Sequence, residues 1–275
     1  MPQPLNMPRV LTIAPQLCQA VCDIAEQAAQ YIEAQAGQVS PQDIDEKAKN
    51  NLVSYVDKNA EQQIVTALRA LLPEAGFITE ENTATDSSTS PLRWVIDPLD
   101  GTTNFLYNIP VFSVSIALIY DQQPIVGVVY DVCRHECFSA YLGGGAYLNG
   151  KAFRIGNCPQ LSQAIIATGF PYYDFSRLEQ YINALRHLVL NTRGVRRLGS
   201  AAIDLCYVAC GRYDAFFEHA LSPWDVAGGI LITQEAGGLV CDFQGGNDYL
   251  FGKQIVATNP QLMPDFMAVM KQCFE

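Results

Sequence analysis

Two aspartates three positions apart, Asp97 and Asp100, form the strongest chemical feature of this sequence. They follow the short apolar run of residues 94–96, and Pro98 between them forces the chain to turn. A turn of this kind can direct both carboxylates at one small volume. Two ionised carboxylates at such short range repel each other, so a hard divalent cation is the partner that this pair would bind.

The residues directly after this pair suit an anion. Gly101 allows the backbone to approach a ligand closely, and Thr102, Thr103 and Asn104 are good residues for the start of a helix. The free N–H groups and the positive dipole end of such a helix favour phosphate. The motif therefore predicts a metal site next to a phosphate site. Taken alone, it also fits a well-made turn in which both Asp side chains bond to the backbone.

The composition restricts the class of protein and of partner. A length of 275 residues, with 49% hydrophobic and 16% charged residues, indicates a globular protein with one large domain or two ordinary ones. The formal net charge of −11 argues against a non-specific nucleic-acid surface or an anionic membrane as a partner. No apolar run approaches the ~18 residues of a membrane span, and we expect no signal peptide.

The cysteines indicate a reducing compartment. The nine of them include three pairs whose members are four residues apart: Cys18/Cys22, Cys133/Cys137 and Cys206/Cys210. None of these pairs has the CxxC spacing of zinc or redox sites. We therefore expect reduced thiols in a cytoplasmic protein rather than disulfides or a zinc site.

Helices and an antiparallel sheet are predicted around the motif in the first half. An apolar stripe predicts a helix that ends near Gly37, and a polar loop over 43–50 follows. A second helix begins at Asp57, which taken alone is best explained as a helix cap. A strand runs directly into Glu80 and Glu81. Three apolar runs and a turn signal predict a meander: 112–120, 125–130, 137–142 and Asn149-Gly150.

The second half alternates strands and helices, which predicts a sheet flanked by helices. Gly199-Ser200 is predicted to start one of these helices. Glu218 follows the strand 213–217 directly, and Asp225 lies in the first turn of a further helix. Both carboxylates are therefore expected at the ends of regular elements.

The sequence also predicts two domains, with a boundary near Lys151. Residues 1–150 would form an N-terminal α+β domain that carries the metal-binding motifs. Residues 151–275 would form a C-terminal α/β domain that completes the active site. The chain contains no internal repeat and no linker of disordered composition.

The acidic residues with chemical potential share one kind of position. Each lies where a strand ends or a helix begins, which is where ligand sites gather in folds of this class: Asp57, Glu80, Glu81, Asp97, Asp100 and Asp225. A set of oxygen ligands without histidine or cysteine indicates Mg²⁺ rather than zinc. None of the three histidines lies in a recognisable nucleophile motif, and the glycines at 143–145 lack the lysine and serine of a P-loop.

Three segments resemble, in order, the signatures of the inositol monophosphatase family of lithium-sensitive, magnesium-dependent sugar phosphatases. They are Glu80-Glu81 after a strand, residues 97–105 (DPLDGTTNF) and residues 224–229 (WDVAGG). The resemblance covers essentially the whole chain. It implies a five-layer αβαβα sandwich of the inositol monophosphatase and fructose-1,6-bisphosphatase type, usually assembled as a homodimer.

The resemblance also implies a role for each site residue. Two or three Mg²⁺ ions would be held by Glu80, Asp97, the carbonyl of Leu99, Asp100 and Asp225, with Glu81 and Asp57 binding through water or supporting the third ion. The catalytic residues would be Glu80, Thr102 and Asp100. The substrate would contact Gly101, Thr102, Thr103, Gly199, Ser200, Ala201, Glu218 and Asp225.

The implied function is hydrolysis of inositol monophosphate, or of a related sugar or polyol phosphate, by metal-activated water. A 3'(2'),5'-bisphosphate nucleotidase is the first alternative, although such members typically carry a lysine where this chain has Thr103. Fructose-1,6-bisphosphatase activity is a second alternative, and a non-catalytic regulatory binding protein is a third. Thr79 and Asn51 depart from the family pattern and leave the substrate preference open. A small phosphorylated metabolite is the expected partner, without nucleic acid or membrane.

Overall fold

The first part of the chain forms two long helices and a seven-stranded sheet. A computed structural model describes residues 6–48, 51–84, 90–172 and 174–274, without the side chains of residues 47, 48 and 51. The helices are α1 (Met7–Gln35), α2 (Tyr55–Leu71) and the short α3 (Thr102–Leu106). A separate hairpin consists of β1 (Ile44–Ala48) and β2 (Asn51–Ser54). The strands of the seven-stranded sheet are β3 (Gly76–Thr79), β4 (Leu92–Asp100), β5 (Ser113–Tyr120), β6 (Gln123–Asp131), β7 (Glu136–Tyr141), β8 (Gly145–Leu148) and β9 (Lys151–Phe153). The sheet follows this chain order and is antiparallel except for the β3–β4 pair.

The second part forms a five-stranded sheet and four helices. The strands are β10 (Ile165–Thr168), β11 (Gly194–Arg196), β12 (Ala215–His219), β13 (Leu239–Cys241) and β14 (Gln254–Thr258). The helices are α4 (Leu178–Asn191), α5 (Ala201–Ala209), α6 (Pro223–Glu235) and α7 (Met263–Phe274). The strand order is β11-β10-β12-β14-β13, with β14 antiparallel to both of its neighbours.

These elements stack in five layers. Helices α1 and α2 cover one face of the larger sheet, and α5 and α6 lie between the two sheets. Helices α4 and α7 cover the far face of the smaller sheet. Strands β5 and β6 are buried almost throughout because helices cover both of their faces, as their continuous apolar runs indicate. The predicted αβαβα sandwich is confirmed.

Two glycines set how closely α6 approaches the larger sheet. A Cβ at Gly127 of β6 would lie 2.7 Å from the carbonyl oxygen of Gly228 in α6, closer than two such atoms can approach. Ser115 on β5 donates a hydrogen bond of 3.2 Å from its hydroxyl to the carbonyl of Trp224. The first turn of α6, with Asp225, is therefore held directly against β5 and β6, and Ser115 of β5 pairs with Asp97 of β4.

The local predictions differ from the structure mainly in the segment before α2. The polar loop predicted over 43–50 is wrong as far as residue 48, because residues 44–48 pair with β2 as an antiparallel strand. Backbone pairing at an exposed hairpin does not require apolar side chains, so the hydrophobic pattern gave no signal. Residues 49–50, and residues 85–89 of the loop predicted after Glu81, lie outside the described part. None of the described helices is long and apolar enough to cross a membrane.

All nine cysteines are described and are free thiols, as the spacing predicted. Three of them are buried, and six are partly buried.

Candidate active site

Three aspartates from both halves of the chain converge on one point. One carboxylate oxygen from each of Asp97, Asp100 and Asp225 lies within 4.8 Å of the others. The pairing of β4 with β5 shifts register between Asp97, opposite Ser115, and Asp100, opposite Ser113. Residues three apart on a regular strand face opposite sides of the sheet, and the extra residue of this bulge brings both carboxylates to the same side.

Backbone and side-chain donors hold Asp97 and Asp100 at the bulge of β4. The N–H of Leu99 donates to Asp97 Oδ1 at 2.9 Å. The Ser200 hydroxyl and the Ala202 N–H donate to Asp100 Oδ2 at 2.6 and 2.8 Å. Asp100 is thereby fixed to the first turn of α5.

Two further carboxylates occupy the third position of a helix in a capping box. Asp225 Oδ2 accepts the N–H of Ser222 at 2.6 Å. Asp57 Oδ2 accepts the N–H and the hydroxyl of Ser54 at 2.8 and 2.7 Å. One oxygen caps the helix in each case, which leaves the other available to the site. The pattern Ser-x-x-Asp occurs at both helix starts, Ser54 to Asp57 and Ser222 to Asp225, so the sequence alone indicates both capping boxes.

The second oxygen of Asp57 contacts the central motif. The Thr102 hydroxyl oxygen lies 2.9 Å from Asp57 Oδ1 and 3.0 Å from the carbonyl oxygen of Leu99. Asp57 is therefore a helix-capping residue that also orients a predicted catalytic hydroxyl.

Burial and mutual repulsion disfavour the charged form of these carboxylates. Burial raises the pKa of Asp97 well above its ordinary value, and the charges of Glu80, Asp100 and Asp225 raise it further. Burial likewise raises the pKa of Asp225, followed by repulsion from Asp100. Burial raises the pKa of Asp100 to about 6, against the opposing hydrogen bonds from α5. A hard cation would stabilise the ionised forms, so these oxygen donors fit Mg²⁺.

A buried glutamate positions the loop that carries Glu80 and Glu81. Glu61 of α2 is fully buried, and its Oε2 accepts the N–H of Glu81 at 2.8 Å. Its Oε1 accepts both the N–H and the hydroxyl of Thr83 at 2.8 Å. Glu61 is not among the residues predicted for the site. Its position four residues after Asp57 places both on one face of α2 and is the signal that was available.

One cleft contains twelve of the fourteen residues predicted for the site. They are Glu80, Asp97, Leu99, Asp100, Gly101, Thr102, Thr103, Gly199, Ser200, Ala201, Glu218 and Asp225. Asp57 contacts the cleft through Thr102, and Glu81 lies beside Glu80 in the loop bound by Glu61. The cleft is also lined by residues outside the predicted set of fourteen: Leu52, Asn104, Gly169, Phe170, Pro171, Tyr172, Arg197, His219, Ala220, Leu221, Ser222 and Trp224.

Two left-handed glycines bring the two halves of the cleft together. Gly101 and Gly199 have φ of +96° and +94°. A Cβ on Gly101 would lie 3.0 Å from the carbonyl oxygen of Val111 and 3.2 Å from that of Gly199. Asn104 donates hydrogen bonds of 2.8 Å to the carbonyls of Val111 and Leu198. Glycine is required at both turns.

Glu218 lies at the end of β12, where it is buried in the wall of the cleft. Burial raises its pKa well above the ordinary value, and repulsion from Asp225 adds to this, while Arg197 acts in the opposite direction. A buried carboxyl of this kind can exchange hydrogen bonds with hydroxyl groups of a ligand.

Comparison with known proteins is consistent with this geometry. The family model of the inositol monophosphatase family matches residues 10–274. The chain is 45% identical to the Nus factor SuhB of Escherichia coli over 226 residues, which is 82% of this chain and 85% of the relative. The crystal structure of the extragenic suppressor protein suhB of Bartonella henselae superimposes with a TM-score of 0.88 at 36% identity, covering 94% and 99% of the two chains. The inositol monophosphatase of Anabaena (Nostoc) gives a TM-score of 0.83 at 30% identity, covering 94% and 96%.

Proposed function

Because the chain belongs to the inositol monophosphatase family, we propose that it is a Mg²⁺-dependent phosphomonoesterase. Its substrate would be inositol monophosphate or a related sugar or polyol phosphate, and its location the cytoplasm, where nine free thiols stay reduced. The convergence of Asp97, Asp100 and Asp225 carries this proposal. Asp97 and Asp100 are buried and Asp225 is partly buried. The charges of Asp100 and Asp225 raise the pKa of Asp97, and that of Asp100 raises the pKa of Asp225, so this cluster would be a poor structural arrangement without cations to stabilise it.

The residues divide into a metal-binding set and a substrate-binding set. Two or three Mg²⁺ ions would be held by Glu80, Asp97, Asp100, Asp225 and the carbonyl of Leu99, with Glu81 and Asp57 outside them. When bound, Mg²⁺ would make a water more acidic and neutralise charge on the phosphoryl group.

The protein's own groups would orient the attacking water and the substrate. Glu80 would accept the proton of the water, and Thr102, fixed by Asp57, would orient it. Asp100, held by Ser200, would keep the water and the phosphoryl group of the substrate correctly positioned relative to each other. The backbone of Gly101 to Thr103 and of Gly199 to Ala201 would bind the phosphate and the adjoining part of the substrate. Glu218 would bind its hydroxyl groups.

A phosphate-release screen over phosphorylated metabolites, with and without Mg²⁺, tests this function. We expect Asp97→Asn to abolish turnover while the far-UV circular dichroism stays unchanged. Asp121→Asn is the matched control, because Asp121 is exposed and has a left-handed φ of +54° that asparagine also adopts. Full turnover in excess chelator, or wild-type kinetics of Asp97→Asn, would contradict the proposal.

A homodimer is the quaternary state that we propose. Leu178, Ile182 and Val189 lie on one side of α4, four and seven residues apart, and all three are exposed large apolar side chains. Light scattering on the wild type and on Ile182→Glu would test this, since a dimer that uses this face should dissociate. An unchanged dimer mass in Ile182→Glu would exclude the α4 face.

The names of relatives favour a second candidate function. Several relatives, among them the Escherichia coli protein, are called Nus factor SuhB. On that basis we propose that this chain also binds a protein of the transcription machinery, in addition to its catalytic function. Pull-down with purified transcription proteins, using wild type and Asp97→Asn, separates the two functions. Retention by both proteins would support a role independent of catalysis, and retention by neither would refute it.

A further inference from the structure

Three sulfur atoms meet at the edge of the smaller sheet. Cys241 is the last residue of β13, which is an edge strand of that sheet. Met263 and Met267 lie four residues apart in α7, so their side chains project from one face of the helix. None of the three lines the acidic cleft, and the proposed hydrolysis gives them no role.

The sulfurs of this cluster are close enough together to share one ion. The Cys241 Sγ lies 3.5 Å from the Met267 Sδ and 4.0 Å from the Met263 Sδ. A metal–sulfur distance of about 2.3 Å, as in zinc–cysteine sites, places the three sulfurs of a trigonal site about 4.0 Å apart. Both separations are therefore close to those that a trigonal three-sulfur site requires.

Core packing is the simpler explanation of a cysteine next to two methionines, because both residue types fill apolar interiors. Cys241 and Met267 are indeed buried in the core that α7 forms with the smaller sheet. Met263, however, is only partly buried, and β13 lies at the edge of the sheet. The cluster is therefore near solvent, which core packing does not need and which an ion-binding site requires.

The loop after β13 is fixed beside the sulfurs. Oδ1 of Asp242 accepts the N–H groups of Gln244 and Gly246, both at 2.8 Å. Gly245 between them has a left-handed φ of +83°, and a Cβ there would lie 3.8 Å from the methyl carbon of Met267. The Asp242 carboxylate is thereby used in holding the loop, which leaves sulfur as the donor of this cluster.

The charges at the cluster suit a soft monovalent cation. Thiolate and thioether sulfurs select Cu⁺, whereas Mg²⁺ prefers oxygen ligands. Burial raises the pKa of the Cys241 thiol to about 11; the charge of Asp242 raises it further, and that of Lys271 opposes this. A cation that binds the sulfur would displace the thiol proton. One thiolate and one Cu⁺ form a neutral pair, whereas a divalent ion would leave an uncompensated positive charge in a buried place.

We propose that Cys241, Met263 and Met267 form a binding site for Cu⁺, separate from the acidic cleft and its Mg²⁺ ions. One thiolate and two thioethers would bind the ion, and binding would release one proton, that of the Cys241 thiol. The bound ion would connect the edge strand β13 to α7. Cu⁺ binding at this position does not depend on the proposed phosphatase activity.

X-ray absorption at the copper edge of selenomethionine-labelled protein tests the thioether ligands directly. One equivalent of Cu⁺, added anaerobically to the reduced chain, should give copper–selenium scattering in the wild type. The double variant Met263→Leu/Met267→Leu keeps all nine thiols and changes the core volume little, and it should lose this scattering. Met270→Leu is the matched control and should retain it, because Met270 is a buried residue of the same helix outside the three-sulfur cluster.

Competition with a chromophoric Cu⁺ chelator measures the affinity of the same proteins. We expect the dissociation constant of the double variant to be at least about tenfold higher than that of Met270→Leu. Cys241→Ser, which removes the thiolate, should show at least the same loss. Far-UV circular dichroism checks that each variant is folded, and the double variant decides if Cys241→Ser is not.

Two outcomes would overturn the assignment. Copper that is bound by thiols alone would show sulfur scattering without selenium in the wild type, or would retain equal affinity in the double variant and in Met270→Leu. Copper–selenium scattering that persists in the double variant would place the ion at other methionines. A wild type that releases no phosphate from any substrate would leave these measurements unaffected, so the failure of either proposal can be recognised separately.

Discussion

The metal-free protein should lose stability as the pH rises, and Asp100 allows the size of this effect to be worked out. Burial raises the pKa of Asp100 from an ordinary 3.8 to about 6. Between pH 3.8 and about pH 6, Asp100 is therefore protonated in the folded state but ionised in the unfolded state. The free energy of unfolding is therefore highest below the pKa of the unfolded state, and it falls as the pH rises towards the pKa of Asp100 in the folded state. At about 1.36 kcal/mol for each pH unit, the difference corresponds to a loss of about 3 kcal/mol between about pH 4 and pH 6.

Two neighbouring carboxylates act in the same direction. Burial also raises the pKa values of Asp97 and Asp225, so each should remove further stability as the pH rises above its ordinary pKa. A cation that binds only the folded, ionised site would offset this loss. We therefore expect the free energy of unfolding to decline with pH in excess chelator and to be nearly constant across the same range in saturating Mg²⁺.

Urea-induced unfolding at a series of pH values, with chelator or with Mg²⁺, measures this effect. The net charge of −11 also makes the whole molecule less stable as the pH rises, so the comparison needs Asp100→Asn. This variant retains the repulsion among the other negative charges of the chain but lacks the carboxyl group of Asp100. Its metal-free pH dependence should be shallower than that of the wild type by about 3 kcal/mol. Identical pH profiles for the two proteins in chelator would refute the reasoning.

Three further predictions concern the loop, the substrate and the inhibitor. In Glu61→Gln, an amide group faces the N–H groups of Glu81 and Thr83, so the loop that carries Glu80 and Glu81 is held less well. The affinity for Mg²⁺, measured by calorimetry, should therefore fall by about tenfold. The control Gln62→Glu, at an exposed position, should bind Mg²⁺ as the wild type does. Glu218→Ala should raise KM for a polyol phosphate more than it changes turnover of a small aryl phosphate; equal losses of kcat on both would place Glu218 in the chemistry. Li⁺ resembles Mg²⁺ in size with half the charge, so LiCl should inhibit in roughly the millimolar range. Equal effects of LiCl and KCl at matched ionic strength would exclude lithium inhibition.

The sequence predicted the elements of the site better than their contacts. The sequence predicted that Asp97 and Asp100 face one small volume, but the turn that it predicted between them is wrong, because β4 continues through Asp100. A bulge opposite Ser113 and Ser115 brings the two carboxylates together instead, and it was not predictable because it depends on how β4 pairs with β5. Register between strands leaves little trace in the sequence of either strand alone.

The features that could not be predicted from the sequence involve charged and polar residues. Glu61 lies on a helix, where a glutamate is ordinarily solvated, and only the docking of the Glu81 loop shows that it is buried. The polar strand β1 carries no apolar alternation. Arg197 contacts the ring of Tyr172, 25 positions earlier in the chain, and no periodic pattern connects two such loops.

The hydrogen bond between Asp100 and Ser200 joins residues 100 positions apart. The Asp100 carboxylate contacts the Ser200 hydroxyl only after the larger sheet has packed on α5 and α6, because the two residues come from different halves of the chain. Long-range contacts of this kind form late in folding. A cation bound at Asp100 and Asp225 would therefore stabilise the native state but not the earlier transition state. Mg²⁺ should slow the rate of unfolding and leave the rate of refolding unchanged, so that the metal prolongs the lifetime of the folded chain without assisting its formation.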